Sequence, residues 1–181
     1  MCGLSDRNLK DGKEIFMRVE KPETIKEVLN AVSDSYESNP NRYLRDGLVF
    51  WLICSGAHLY NMSEIKTTDI NRETRQIAIN GITYDIIDDD VIEFIDEWVK
   101  CDYVESERFG PVYLDNSDYL FRPNVIDRVF DEKSGSGVFV AALNRISTHY
   151  YEQTGRRITM SSLGVSIPRL FSDVAIMIDI E

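Results

Sequence analysis

Ser55-Gly56-Ala57-His58-Leu59-Tyr60-Asn61-Met62-Ser63-Glu64-Ile65-Lys66-Thr67-Thr68-Asp69-Ile70 is the stretch on which the reading of this chain turns. It follows an apolar run, Leu48 to Cys54, and precedes two strand-like segments within Arg75 to Ile87. Ser55-Gly56 stands directly after the apolar run, and Asp69-Ile70 stands shortly before the strand-like segments.

The strands downstream carry a clear turn signal. Gln76-Ile77-Ala78-Ile79 and Ile82-Thr83-Tyr84-Asp85-Ile86 alternate and are joined by Asn80-Gly81, a pair that accepts the positive φ of a type I′ turn. A two-residue connection also sets the register.

Helices are predicted on both sides of this hairpin. Lys21-Pro22-Glu23-Thr24 opens one, with Ile25, Val28, Leu29 and Val32 as its buried stripe through Tyr36. Ser38-Asn39-Pro40-Asn41 reads as a turn and cap, and Tyr43 to Cys54 as a second helix, apolar almost all round and therefore central. Val91, Ile92, Phe94, Ile95, Trp98 and Val99 recur at helical spacing, with Asp88 to Asp90 as cap and favourable charge at the N-terminus. Asp102 to Asn124 reads as a looser region. Val138 to Tyr150 follows Ser134-Gly135-Ser136-Gly137 with a stripe of Val140, Leu143, Ile146 and Tyr150, and Thr154-Gly155 ends it. Ile158-Thr159 caps a segment through Leu163, and Pro168 begins a last helix. The fold class is α+β, mainly helical, with a small antiparallel hairpin or sheet.

With 181 residues, 43% of them apolar, the chain suits one globular domain with a loosely attached N-terminus. No run approaches the ~18 apolar residues of a membrane span. Met1 to Asp11 is too polar for a signal peptide, so we expect a cytoplasmic protein with no membrane partner. The net charge of −11 argues against nucleic acid, whose phosphates need basic surface, but its distribution softens that argument. Residues 84–118 hold 12 acids and 2 bases, whereas residues 1–83 hold 12 and 11, and residues 119–181 hold 7 of each. The surplus therefore lies in the segment containing the acidic helix, whose simplest role is a solvated face.

Cys2, Cys54 and Cys101 form no Cys-x-x-Cys pair, and an odd, sparse count suits a reducing compartment rather than a disulfide framework or zinc cluster. His58 and His149 lie far apart and lack helical i,i+4 spacing, which argues against a histidine metal site. Asp88-Asp89-Asp90 lacks the spaced ligands and turning glycine of a calcium loop. Neither metal nor cofactor is expected. Ser55-Gly56-Ala57-His58 also lacks the Gly-x-Ser-x-Gly pattern of a nucleophile elbow.

The order around Ser55 to Ile70 resembles the first catalytic box of tyrosine recombinases (phage integrases), in which a helix ends at Ser/Thr-Gly, an arginine comes two residues later, and a short amphipathic helix and Asp-Ile lead into strands; the layout resembles their catalytic domain over most of residues 20–170. In that family a tyrosine attacks the scissile phosphate, while two arginines and a hairpin lysine hold the phosphoryl oxygens. Here His58 stands at the first arginine position, and an imidazole lacks the permanently charged, bidentate fork of a guanidinium. Gln76 to Ile87 contains no lysine. In that family a Thr also precedes a late His-x-x-Arg box; aligning Ile158-Thr159 with it puts Ser161 and Gly164 at the His and Arg positions, and no tyrosine follows Tyr151. The resemblance thus implies a member that is not an enzyme.

Three stretches carry a closer resemblance: Met62-Ser63-Glu64-Ile65 with Thr68-Asp69-Ile70, Ser117-Asp118-Tyr119-Leu120-Phe121-Arg122, and Arg156-Arg157-Ile158-Thr159-Met160-Ser161-Ser162-Leu163. They are similar to the non-catalytic, recombinase-like lysis–lysogeny repressors of SPβ-type Bacillus prophages. That implies a DNA-binding repressor of phage lytic genes, working without a cofactor. The resemblance covers only the C-terminal part of such a regulator, with residues 1–20 as an N-terminal extension and residues 21–181 as the recombinase-like domain.

For a double-stranded DNA partner the candidate contacts are Arg42 and Arg45, one turn apart, His58 in the box, Lys66 and Arg72 flanking the short helix, Arg75 opening the hairpin, and Arg156 and Arg157 before the late element. The alternative is ordinary surface charge balancing nearby acids, with His58 a structural group near Glu64 or Asp69. A reading from another class makes the chain an acidic interaction module, its acidic helix docking a basic protein or mimicking nucleic acid. Val174-Ala175-Ile176-Met177-Ile178 with Ile180 permits a homo-oligomer by exchange of the last helix, a core helix being the simpler alternative.

Overall fold

Leu48, Val49, Phe50, Trp51, Leu52 and Ile53 are each at most 4% exposed, a run that a helix achieves only when other elements cover it all round. A computed structural model describes residues 24–55, 57–86, 89–106, 108–125 and 136–158. The expected extension 1–20, the cap residue Asp88, Ser134-Gly135, the late element from Thr159 and the last helix from Pro168 lie outside the described residues.

The first described helix, α1 (Thr24–Val32), buries Ile25, Val28, Leu29 and Val32 as its spacing predicts. It does not run on to Tyr36 as an α-helix. Ser33–Tyr36 tightens into a 3-10 turn, with Ser33 Oγ donating to the Asn30 carbonyl at 2.8 Å and offering the backbone a local alternative.

The central helix, α2 (Pro40–Cys54), begins earlier than the predicted Tyr43. Asn39 caps it by accepting from the Arg42 amide at 3.3 Å, and Pro40 fits the first turn because its missing N–H has no partner there anyway. Arg42, which the predicted start left outside, therefore sits within the helix together with Arg45. After α2 the Ala57 amide donates to the Leu52 carbonyl at 2.9 Å, and α3 (Leu59–Met62) is a single turn whose N-cap is His58. Leu59, Met62 and Ile65 are buried, so this amphipathic turn packs into the core.

Thr67–Asp69 makes a 3-10 turn leading into β1 (Ile70–Asn71), which pairs antiparallel with β2 (Gln76–Ile79), itself paired with β3 (Ile82–Asp85). The β2–β3 turn has φ +50° at Asn80 and +77° at Gly81, as a type I′ turn requires, and the register sets Ile79 opposite Ile82. The adjacent β1–β2 turn is built by Asn71, whose Oδ1 accepts from the Glu73 and Thr74 amides at 3.0 and 2.9 Å.

The acidic helix, α4 (Asp90–Trp98), buries Val91, Ile95 and Trp98. Phe94 approaches α2 so closely that a Cβ on Gly47 would lie 2.6 Å from its Cε1. Gly47→Ala therefore sets a helix-propensity gain of about 1 kcal/mol against overpacking of about 1–3 kcal/mol. A net loss of about 1 kcal/mol is expected in urea unfolding, and a net gain would contradict this tight contact.

The region Asp102 to Asn124, expected to be loose, contains a second hairpin. Its strands, β4 (Tyr103–Ser106) and β5 (Gly110–Tyr113), pair antiparallel with Tyr103 opposite Tyr113. Gly110, at φ +69°, starts β5 beyond the connection. The last described helix, α5 (Ser136–Thr154), is longer than predicted and rotated relative to the predicted stripe. Phe139, Ala142, Ile146 and Tyr150 are buried, while Val140 and Leu143 are only partly so. Its orientation follows the larger ring, since Phe139 meets Phe121 edge-on at 5.1 Å.

Cys54 and Cys101 are free thiols. Burial pushes the Cys54 thiol up to about 12 and also raises that of Cys101. An unfolded thiol titrates near ~8.5, so this preference for the neutral form stabilises the fold below that pH and is lost as pH rises towards the folded value. At pH 8.5 a thiol reagent should modify neither residue before unfolding; fast labelling of either in the native protein would contradict this.

Candidate nucleic-acid interface

One acid interrupts the polar-to-apolar passage of α2. Asp46 is 0% exposed, and such a carboxylate needs partners that replace its water. Arg145 of α5 supplies a bidentate fork, Nε to Oδ2 at 2.7 Å and Nη2 to Oδ1 at 2.9 Å. Arg45 Nε donates to Oδ1 at 3.1 Å, and the Tyr36 hydroxyl donates to Oδ2 at 3.1 Å. The carboxylate thus joins the 3-10 turn, α2 and α5.

The two guanidiniums respond differently to this site. Burial lowers the pKa of Arg45, against the attraction of Asp46, and Arg145 and Arg42 add repulsion. For Arg145 burial also lowers the value, but the hydrogen bonds and charge of Asp46 outweigh it and the pKa is raised. Burial, reinforced by Asp46, raises the pKa of Tyr36. Arg42 turns towards the second hairpin, where its Nη2 donates to the Glu105 carbonyl. The structure thereby groups Arg42 and Arg45 with Arg145, a residue that spacing alone did not single out. The usable signal was Asp46: a carboxylate beside an apolar helical run requires a cationic or donor partner elsewhere.

Lys66 lies at the other end of the box. Its Nζ pairs with Asp118 at 2.9 Å, and sits 5.5 Å from the centre of the Tyr119 ring. The hydrogen bond from Lys66 lowers the pKa of Asp118, and the same bond raises that of Lys66. Backbone bonds from Thr67 N to Asp118 O (2.9 Å) and Leu120 N to Ile65 O (2.7 Å) lay the segment 117–121 along the box. Two stretches far apart in sequence thus form one surface. The Asp69 carboxylate accepts from the Lys66 amide at 2.8 Å, and His58 does not cap α3 with its side chain.

Arg72 and Arg75 meet the acidic helix. Arg72 holds Asp96 with bonds of 2.7 and 3.0 Å, and Arg75, at φ +54°, pairs with Asp89. Lys26 pairs with Asp90 at 2.9 Å and Lys100 with Glu97 at 2.7 Å, so α4 and its N-cap serve as a row of counterions. Asp89 occupies the N-cap position, without a side-chain cap bond. The Arg72–Asp96 and Arg75–Asp89 pairs are exposed; such pairs are worth about 0–1 kcal/mol, so an incoming phosphate can displace them at small cost. Beyond α5, Arg156 is exposed and Arg157 lies 5.4 Å from the centre of the Tyr151 ring.

Among the described residues no group of three or more His, Cys, Asp or Glu is arranged to hold a metal ion, and no helix is long and apolar enough to cross a membrane. Comparison of the chain with protein-family models, with curated proteins and with solved structures finds no match to any of them.

Proposed function

We propose that this chain is a non-catalytic, recombinase-like DNA-binding module, and that it acts as a transcriptional repressor of phage lytic genes. The observation that carries this reading is the assembly of the box. Helix α2 ends at Cys54, His58 opens α3, the turn after Lys66 leads to Ile70 and a three-stranded sheet, and segment 117–121 closes over it. The succession of helix, one-turn helix and strands supports the recombinase-like reading. His58 in place of the first arginine, and a hairpin without lysine, support binding without strand transfer.

The test is a mobility shift with prophage operator DNA at two salt concentrations. Binding that weakens with salt supports the reading, and absence of binding at low salt sinks it. Asp118→Asn sharpens the test, because it frees Lys66 from its competing carboxylate. Affinity should rise several-fold at low salt, and the slope of log K against log salt should steepen by about 0.9. An unchanged slope would remove Lys66 from the interface.

A second reading is favoured by a different observation. Lys26, Arg72, Arg75 and Lys100 are all engaged by the α4 row, within a segment of 12 acids and 2 bases. An interaction module would present that row to a basic protein. Binding of a lysine-rich peptide, together with failure to shift DNA, would select it.

A further inference from the structure

We propose that Arg45 and Arg145 form an oxyanion site that takes a phosphate group. Two permanently charged guanidiniums share one carboxylate, Asp46, which leaves this partly buried cluster with one uncompensated positive charge. Their side chains keep 17% and 28% of their surface open to water, so a small anion can reach them. Arg45 uses only Nε on Asp46; among the described residues neither of its terminal nitrogens has a hydrogen-bond partner. A guanidinium presents five donors in a fixed fork suited to phosphate oxygens, and here that fork is pinned at its base by Asp46. Arg145 spends its own fork on Asp46, so it supplies charge while Arg45 supplies donors. Arg145 and Arg42 repel the charge on Arg45, and a bound dianion offsets that repulsion. The remaining charged neighbours do not cancel the surplus: Arg42 adds to it, and the Glu152 carboxylate, 3.2 Å from the His149 ring, is 59% exposed and screened by water.

The site rests on the proposed DNA reading only for the source of its ligand, since a backbone phosphate and free inorganic phosphate offer the same chemistry. The experiment uses the full chain as wild type, Arg45→Gln and Asp46→Asn, with thermal unfolding in inorganic phosphate and in chloride at matched ionic strength. A ligand that binds only the folded state raises the midpoint, whereas general exclusion of phosphate from protein surface acts on all three proteins alike. The midpoint shift in phosphate should be larger for wild type than for Arg45→Gln, which keeps the Arg145 fork on Asp46. It should be largest for Asp46→Asn, where the competing charge is gone. Equal shifts in all three proteins would overturn the site.

Should Asp46→Asn fail to fold, phosphate binding by equilibrium dialysis to wild type and Arg45→Gln decides alone, and equal binding overturns the site. The DNA arm is a salt titration of duplex binding. A slope about 0.9 shallower in Arg45→Gln assigns the ligand to the backbone. Phosphate binding that depends on Arg45, with no DNA binding at any salt, assigns it to free phosphate; the site then stands and the DNA reading fails.

Discussion

Asp46→Ala should cost about 3–5 kcal/mol of folding stability, since breaking a buried ion pair strands its partners. Asp46 accepts from Arg145 twice, from Arg45 and from Tyr36, and is itself 0% exposed. Its removal leaves two guanidiniums repelling each other across a gap, and a buried phenol without its acceptor. The 3-10 turn, α2 and α5 meet at this carboxylate, so the loss falls on the packing of three elements at once. Domains of this kind are stable by about 5–15 kcal/mol, which makes the change a large fraction of the total. Urea unfolding of the full chain measures it. A loss under about 1 kcal/mol would mean that the arginines swing out to water and that the cluster does not hold the helices together.

Trp98→Ala should be comparably damaging, at about 3–5 kcal/mol. The indole is 0% exposed and its Nε1 donates to the Leu120 carbonyl at 2.6 Å. It thereby ties α4 to the segment that lies along the box, where the Leu120 amide bonds Ile65 and Asp118 meets Lys66. Trp98→Phe separates the two contributions: it keeps most of the apolar volume but leaves the Leu120 carbonyl unpaired, a cost of about 1–3 kcal/mol. Hydrogen exchange provides a local readout. In Trp98→Ala the Leu120 and Thr67 amides should exchange faster than those of the β2–β3 hairpin; uniform acceleration would show that the indole supports the whole core and not this contact.

What could be read from the chain alone follows the range of the forces involved. Asn80-Gly81 announced its turn because positive φ at two successive residues is a local requirement, and the observed register follows from it. The stripes of α1 and α4 were legible for the same reason: each helix is amphipathic and one face must be buried. The β4–β5 hairpin was not, because Gly110-Pro111 reads as a breaker where Pro111 is in fact tolerated opposite Glu105. The rotation of α5 was missed because Phe139 and Val140 are both apolar, and tertiary packing chose the ring. At the candidate interface Lys66 and Arg45 were named from their sequence neighbourhood, but Lys66 pairs with Asp118, 52 residues away, and Asp46, the partner of Arg45, takes its fork from Arg145, 99 residues away. No periodicity encodes such pairings.

The N-terminus of α2 has a further consequence, at the second hairpin. Asn41 Nδ2 donates to the Tyr103 carbonyl at 2.9 Å, Asn39 Nδ2 to the Glu105 carbonyl at 2.7 Å, and Arg42 to the same oxygen. On the far side the Val125 amide occupies the Tyr113 carbonyl at 2.9 Å, and Leu114 bridges to Asn124. Both borders of this small sheet are therefore closed to another chain that would extend it, although Tyr113 is 59% exposed and Phe109 73%. Three polar side chains of one helix turn thus guard against strand-by-strand association, and leave an aromatic surface in water without making it a template for aggregation.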